Sequence, residues 1–187
     1  MSQIEINHSD FLRNHHDKRG LLNIKVLTPT DAGEYKRLRL ASLQNNPEAF
    51  GSSFEEEADQ PHAFFEGRLS KDNGSLVWGA FQKNELVGTV GFLPESMEKL
   101  KHKGSVVGVY VAPHARGKGV ARKLMQALFA DLKHGGTTEK AGLRVAATNT
   151  VALKFYQTMG FREIGLEKDA IRVDGISYDE ILMERYL

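Results

Sequence analysis

The chain has 187 residues, 41% hydrophobic and 26% charged, the size and make-up of one globular domain with its own core. Its 25 Lys and Arg residues nearly balance 24 Asp and Glu, and a net charge of +1 gives no whole-molecule attraction for nucleic acid. The absence of cysteine excludes disulfides, thiolate metal sites and cysteine nucleophiles, and no apolar run is long enough to predict a membrane span.

Residues 1–22 are polar and carry His8, His15 and His16. They read as an extension outside a single domain over 23–187, and no spacing of histidines and carboxylates completes a metal site, so no metal is expected. The first strand is predicted at Asn23 to Thr28, followed by a helix capped at Thr30 or Asp31 and running to about Leu43. Asn46-Pro47 stops it, because the residue before proline avoids helical angles. A loop through Phe54 leads to a helix over Pro61 to Leu69. Ser75 to Phe81 and Leu86 to Leu93 form a hairpin across Lys83-Asn84-Glu85. Ser105 to Val111 is β-branched and continuous, the pattern of a buried strand. Val120, Leu124, Leu128 and Leu132 then recur every four residues, the stripe of a packed helix. A short strand at Leu143 to Ala146, a helix from Thr148 or Asn149 to Met159-Gly160, and strands at Phe161 to Gly165 and Ser177 to Tyr186 complete the order β-α-α-β-β-β-α-β-α-β-β.

Charge is uneven along this order. Between Lys99 and Phe129 there are seven Lys or Arg residues and no acid, whereas Phe54 to Asp59 reads FEEEAD. Inside the basic stretch, a buried strand passes through Ala112-Pro113-His114-Ala115-Arg116 into Gly117-Lys118-Gly119 and a helix. The first amides of a helix lack internal partners, and with the helix dipole they form an anion site. Gly117 and Gly119 let a phosphate approach the main chain without a Cβ in the way, and Arg116 and Lys118 add positive charge. The junction therefore predicts a phosphate-bearing ligand. No GxxxxGK[ST] loop is present, and Gly117-Lys118-Gly119-Val120-Ala121-Arg122 places Arg where a dinucleotide fingerprint needs its third glycine.

Arg116-Gly117-Lys118-Gly119-Val120-Ala121 resembles the [QR]-x-x-G-x-[GA] motif of GNAT-type N-acetyltransferases, and Val109 to Pro113 resembles the end of that family's fourth strand. Asn149, Ala152, Phe155, Tyr156, Gly160 and Phe161 resemble its downstream N-x-x-A-x-x-[FL]-Y-x-x-x-G-F block. The likeness covers residues 24–187 in element order and is specific in these two blocks.

This resemblance implies an α/β (α+β) fold: a mixed, mostly antiparallel central sheet of about seven strands with helices on both faces, its fourth and fifth strands splayed. It implies acetyl-coenzyme A as co-substrate. The pantetheine arm would lie against Val109, Tyr110 and Val111, with the pyrophosphate on the amides of Arg116, Gly117, Lys118, Gly119, Val120 and Ala121. Asn149 would hydrogen-bond the arm, and Ala152 and Phe155 would pack near it. The Val109 amide would donate to the thioester oxygen as charge develops there, and Tyr156 would act as general acid toward the departing thiolate.

The general base stays open. Ser105 to Val111 carries no acid, so Glu55, Glu56, Glu57, Glu95, His102 or a water chain are the candidates. Glu55, Glu56 and Glu57 also suit attraction of a cationic amine. The expected acceptor is a small-molecule or peptide amine, in a cytoplasmic protein without nucleic-acid or membrane partners, and a homodimer is one expected state because relatives often dimerise. Two other readings stand beside this one: a non-catalytic module binding acyl-coenzyme A, and a nucleic-acid binder using the basic stretch.

Overall fold

The computed structural model describes residues 22–70 and 74–187, together with the main chain of 14–16. Eight strands form one sheet: β1 (Asn14–His16), β2 (Asn23–Val26), β3 (Leu76–Gln82), β4 (Glu85–Pro94), β5 (Lys103–Val111), β6 (Lys140–Ala146), β7 (Arg162–Val173) and β8 (Ile176–Tyr186). Their order is β1-β2-β3-β4-β5-β6-β8-β7, and every neighbouring pair is antiparallel except β5 and β6. The helices are α1 (Ala32–Asn45), α2 (Phe54–Ala58), α3 (His62–Leu69), α4 (Val120–Gly135) and α5 (Thr150–Thr158).

Helices α1 and α4 lie on opposite faces, and residue alternation along β4 and β5 shows it. A Cβ on Gly88 would press on Val120 and Leu124 of α4. One position along the ladder, Thr89 pairs with Tyr110, whose hydroxyl accepts from Asn45 at the end of α1. The predicted stripe Val120, Leu124, Leu128 and Leu132 is buried as the inner face of α4, each side chain contributing about 1.5–3 kcal/mol by leaving water. Two-residue turns join the hairpins. Lys83 and Asn84 both have positive φ between β3 and β4, as do Asp174 and Gly175 between β7 and β8, the geometry that matches strand twist.

Three features differ from the sequence reading. The first 22 residues are not wholly outside the sheet: Asn14–His16 adds an edge strand to β2, and Leu22 is buried in the core. His8 lies outside the described residues. The acidic stretch at Phe54 is a helix, because Ser53 accepts from the Glu56 amide while Glu56 accepts from the Ser53 amide, a reciprocal cap that starts a turn without an apolar stripe. Strand β7 runs to Val173 rather than ending near Gly165. Its register with β8 shifts at Glu163/Gly165 and Glu167/Ile171, and Arg162 to Asp169 are all exposed, so period-two alternation is erased from the sequence. No helix among the described residues is long and apolar enough to cross a membrane.

Helices α1 to α3 are locked together by one carboxylate. Glu57 is 2% exposed and accepts from Arg39 of α1 at 2.8 and 3.1 Å and from Arg68 of α3 at 3.0 and 3.2 Å. Burial pushes its carboxyl upward, but the hydrogen bonds and charge of Arg39, the charge of Arg68 and a bond from Ser52 outweigh burial, so it titrates below the ordinary glutamate range. Glu57→Gln leaves two guanidiniums sharing an uncharged partner, and is expected to destabilise the fold by about 3–5 kcal/mol at pH 7 in urea denaturation. A carboxyl with a lowered folded-state pKa stabilises above its unfolded value and loses that contribution as pH falls. The gap between wild type and variant is therefore expected to narrow below about pH 4.3.

Candidate active site

The site begins where the sheet opens. β5 and β6 pair at only three positions, Lys103 with Lys140, Gly104 with Ala141 and Ser105 with Gly142. Beyond them β5 stays on β4 as far as Val111, and β6 stays on β8 as far as Ala146, so each half of the sheet remains continuous while the seam widens. A bulge drives β5 away. Thr89 and Gly91 are two residues apart on β4, but their partners Tyr110 and Val107 are three apart on β5. The extra residue falls at Gly108-Val109. Gly108 sits at φ 59°, and its carbonyl accepts from the buried Thr89 hydroxyl at 3.1 Å. Main-chain groups of 106–111 thus have no strand partner on the β6 side, and these include Val109, Tyr110 and Val111.

At the wide end of the seam stands the head of α4. Gly117 and Gly119 have φ of 72° and 76°, and a Cβ on either would meet nothing within 4 Å. Among the described residues, nothing accepts from the amides of Gly117, Lys118, Gly119, Val120, Ala121 or Arg122, whereas the amide of Arg116 is bonded to Pro113. Five amides of the expected cradle are therefore free, and the sixth, that of Arg116, is spent on the turn. The cationic side chains brace the turn. Arg116 donates to the Val111 carbonyl at 2.9 Å and to Asn46 at 3.3 Å, and stacks over Tyr110 at 5.7 Å. Lys118 donates to the His114 carbonyl at 3.0 Å, and Arg122 to Thr158 at 2.9 Å. The open main chain fits a diphosphate, with charge behind it rather than in front.

Helix α5 flanks the seam on the α4 face. Asn149 caps it, its side-chain oxygen accepting from Ala152 at 3.0 Å, which leaves its amide NH2 as a donor. Ala152 and Phe155 are partly buried against the core. The ring of Tyr156 is enclosed by Phe155 at 5.4 Å and Phe161 at 5.9 Å. Burial pushes its phenol well above the ordinary tyrosine value, so the proton stays on through neutral pH. Among the described residues the hydroxyl has no hydrogen-bond partner.

Comparison with known proteins agrees with this geometry. The Acetyltransferase (GNAT) family pattern matches residues 39–161, about two-thirds of the chain. The chain belongs to the GNAT acetyltransferase family. It is 29% identical over 115 residues to an N-alpha-acetyltransferase of Saccharolobus solfataricus, covering 58% of this chain and 68% of that protein. It is 27% identical over 154 residues to the N-alpha-acetyltransferase RimI of Mycobacterium tuberculosis, covering 82% and 87%. A putative acetyltransferase from Salmonella typhimurium, solved with its cofactor acetyl-CoA, superposes with a TM-score of 0.73 at 18% identity over 89% of this chain and 94% of that one.

For a GNAT enzyme, the structure sorts the acid candidates. Glu57 is enclosed by Arg39 and Arg68, so its charge is neutralised within the protein and is not offered to an acceptor. Glu56 caps its own helix and Glu55 is exposed on it. Glu95 and His102 lie on the loop before β5, at the closed end of the seam, where Glu95 bonds the Lys103 carbonyl and the His102 carbonyl accepts from Glu139 and Lys140. The structure also brings forward Thr89 and Gly108, which the sequence reading passed over. The signal was there: a lone glycine inside Val106-Val107-Gly108-Val109-Tyr110-Val111 marks a bulge.

Gly119→Val puts a branched side chain into the open cradle at a left-handed position. The expected result is coenzyme A affinity weakened at least tenfold by calorimetry, beside a stability loss of about 1–2 kcal/mol from the backbone alone. Unchanged affinity would remove the cradle from the site.

Proposed function

We propose that the protein transfers the acetyl group of acetyl-coenzyme A to a primary amine by direct attack in a ternary complex. The observation that carries this reading is the coincidence of a half-open parallel seam with unpaired amides at the head of α4. The amides of Gly117 to Ala121 receive the pyrophosphate, and the Asn149 amide holds the pantetheine arm as it passes down the seam. When bound there, the co-substrate supplies an activated thioester. The bulge at Gly108-Val109 interrupts the ladder beside the opening, and the Val109 amide is the one assigned to the thioester oxygen.

Tyr156 supplies the proton that the sulfur takes as it leaves. Its burial raises the phenol above the ordinary tyrosine value, so the proton is in place at neutral pH. A lysine-like amine, with a pKa of ~10.4, must lose its proton before attack. The likeness to N-alpha-acetyltransferases favours an α-amino group as the acceptor. A non-catalytic module that only binds acyl-coenzyme A would keep the cradle and need no acid.

Thiol release from acetyl-coenzyme A in the presence of amines separates the two readings, and an amine-dependent rate is expected. Tyr156→Phe is expected to lower turnover by about 100-fold while leaving coenzyme A affinity within twofold. Full activity in that variant would take Tyr156 out of the mechanism.

A further inference from the structure

The coenzyme cradle and α5 belong to the α4 face of the sheet, so an amine meets the seam from the α1 face. Register identifies the side chains that look that way. Gly91 stands three places from Gly88, so it takes the α1 face, and its partner Val107 with it. Ser105 follows on β5, and its partner Gly142 carries the same face onto β6, hence to Arg144 and Ala146. Val107 and Arg144 therefore stand on either side of the seam just past its last pair. Glu180 pairs with Ala146 on one side and Glu167 on the other, and joins the same face. The turn Pro47–Ala49 after α1 packs beside β6 and β7 and borders this corner.

The charges in the corner are unequal. Arg144 is ion-paired with Glu167 and stands 3.6 Å from Glu180, giving two carboxylates for one guanidinium. Glu180 is only 8% exposed and is ion-paired with Arg144 at 3.6 Å, but no described residue donates a hydrogen bond to its carboxylate. Its carboxylate oxygens keep some access to solvent, so an incoming donor can reach them. Among the described residues Arg144 is the one cation paired with it, and that guanidinium is shared with Glu167. Every other buried carboxylate among the described residues is hydrogen-bonded, Glu57 by Arg39 and Arg68, and Glu184 by Lys140 and Arg162, both at 2.9 Å. Glu180 is the exception, and it is the one beside the open seam.

We infer that Glu180 is the carboxylate that seats the acceptor's ammonium group, with Arg144 and Glu167 fixing its position, and that the acceptor is a cationic amine with no carboxylate near its nitrogen. This rests on the acetyl-transfer reading above. The net negative corner draws in an ammonium and repels a carboxylate. Arg144, already balanced by Glu167, offers no site for the acid group of a free amino acid. The amino end of a polypeptide, or an amino-acid amide, has the required charge; the free amino acid does not.

The test compares amino-acid amides with the corresponding free amino acids, using wild-type protein and Glu180→Gln, with thiol release as the readout. Wild type is expected to favour the amides by at least tenfold in kcat/KM. Glu180→Gln is expected to raise KM for the amides by about 10- to 100-fold, the effect of losing one charged hydrogen bond, with kcat within a few-fold. Coenzyme A affinity by calorimetry is expected to be unchanged, which also reports that the variant is folded. Glu180→Asp, which keeps the charge, should recover part of the loss. Equal use of amides and free acids, or an unchanged KM in Glu180→Gln, overturns the assignment while leaving acetyl transfer standing. A wild type that binds coenzyme A and acetylates no amine overturns both.

Discussion

The parallel contact between β5 and β6 holds for three residue pairs and then fails, and the rest of the molecule is arranged around that failure. Parallel strands need a crossover to connect them, and here α4 is the crossover, so the head of α4 necessarily stands at the wide end of the gap. An opening in the middle of a sheet exposes unpaired main-chain groups, which is unfavourable in a buried strand unless something takes their place. The sheet tolerates it because each half keeps its own partner: β4 holds β5 through Val111, and β8 holds β6 through Ala146. The Gly108 bulge, braced by the Thr89 hydroxyl, fixes where β5 bends away. A gap ending at free helix amides has the shape the proposed reading needs, long and with an anion site at one end.

Charge is divided between the two faces of this slot. On the coenzyme side, the cations that made the sequence look like an anion site are mostly engaged with the protein. Arg116 holds the end of β5 and Asn46, Lys118 holds the turn, and Arg122 ties α4 to α5. Their positive charge remains in the neighbourhood, but the groups presented to a ligand are amides, which are fixed by the fold and need no ordering on binding. On the opposite face two carboxylates, Glu167 and Glu180, share the guanidinium of Arg144 at one corner.

Two of the three acids most conspicuous in the sequence are engaged by the fold itself. Glu57 belongs to an ion-pair cluster that joins α1, α2 and α3, and Glu56 to a helix cap. Their run in the chain reflects the start of a short helix, where negative side chains complement the dipole. Glu180, set among Tyr178, Asp179, Ile181 and Leu182, has no comparable signature, because its surroundings come from β6 and β7, far away in sequence.

From residue spacing alone come most of the element order, the buried stripe of α4, the glycine turn at its head and the two motifs that place the chain in its family. These are local: each depends on residue spacing within one element or at one junction, where backbone propensity and periodicity act directly. Folding had to show that Asn14–His16 joins the sheet, that β7 continues past its bulges, that Glu57 is consumed by two arginines and that Glu180 shares Arg144 with Glu167 near the seam. Each of these is settled by a partner distant in the chain, and a carboxylate's role is set by the cation or donor that folding brings to it, which residue spacing along one strand does not encode.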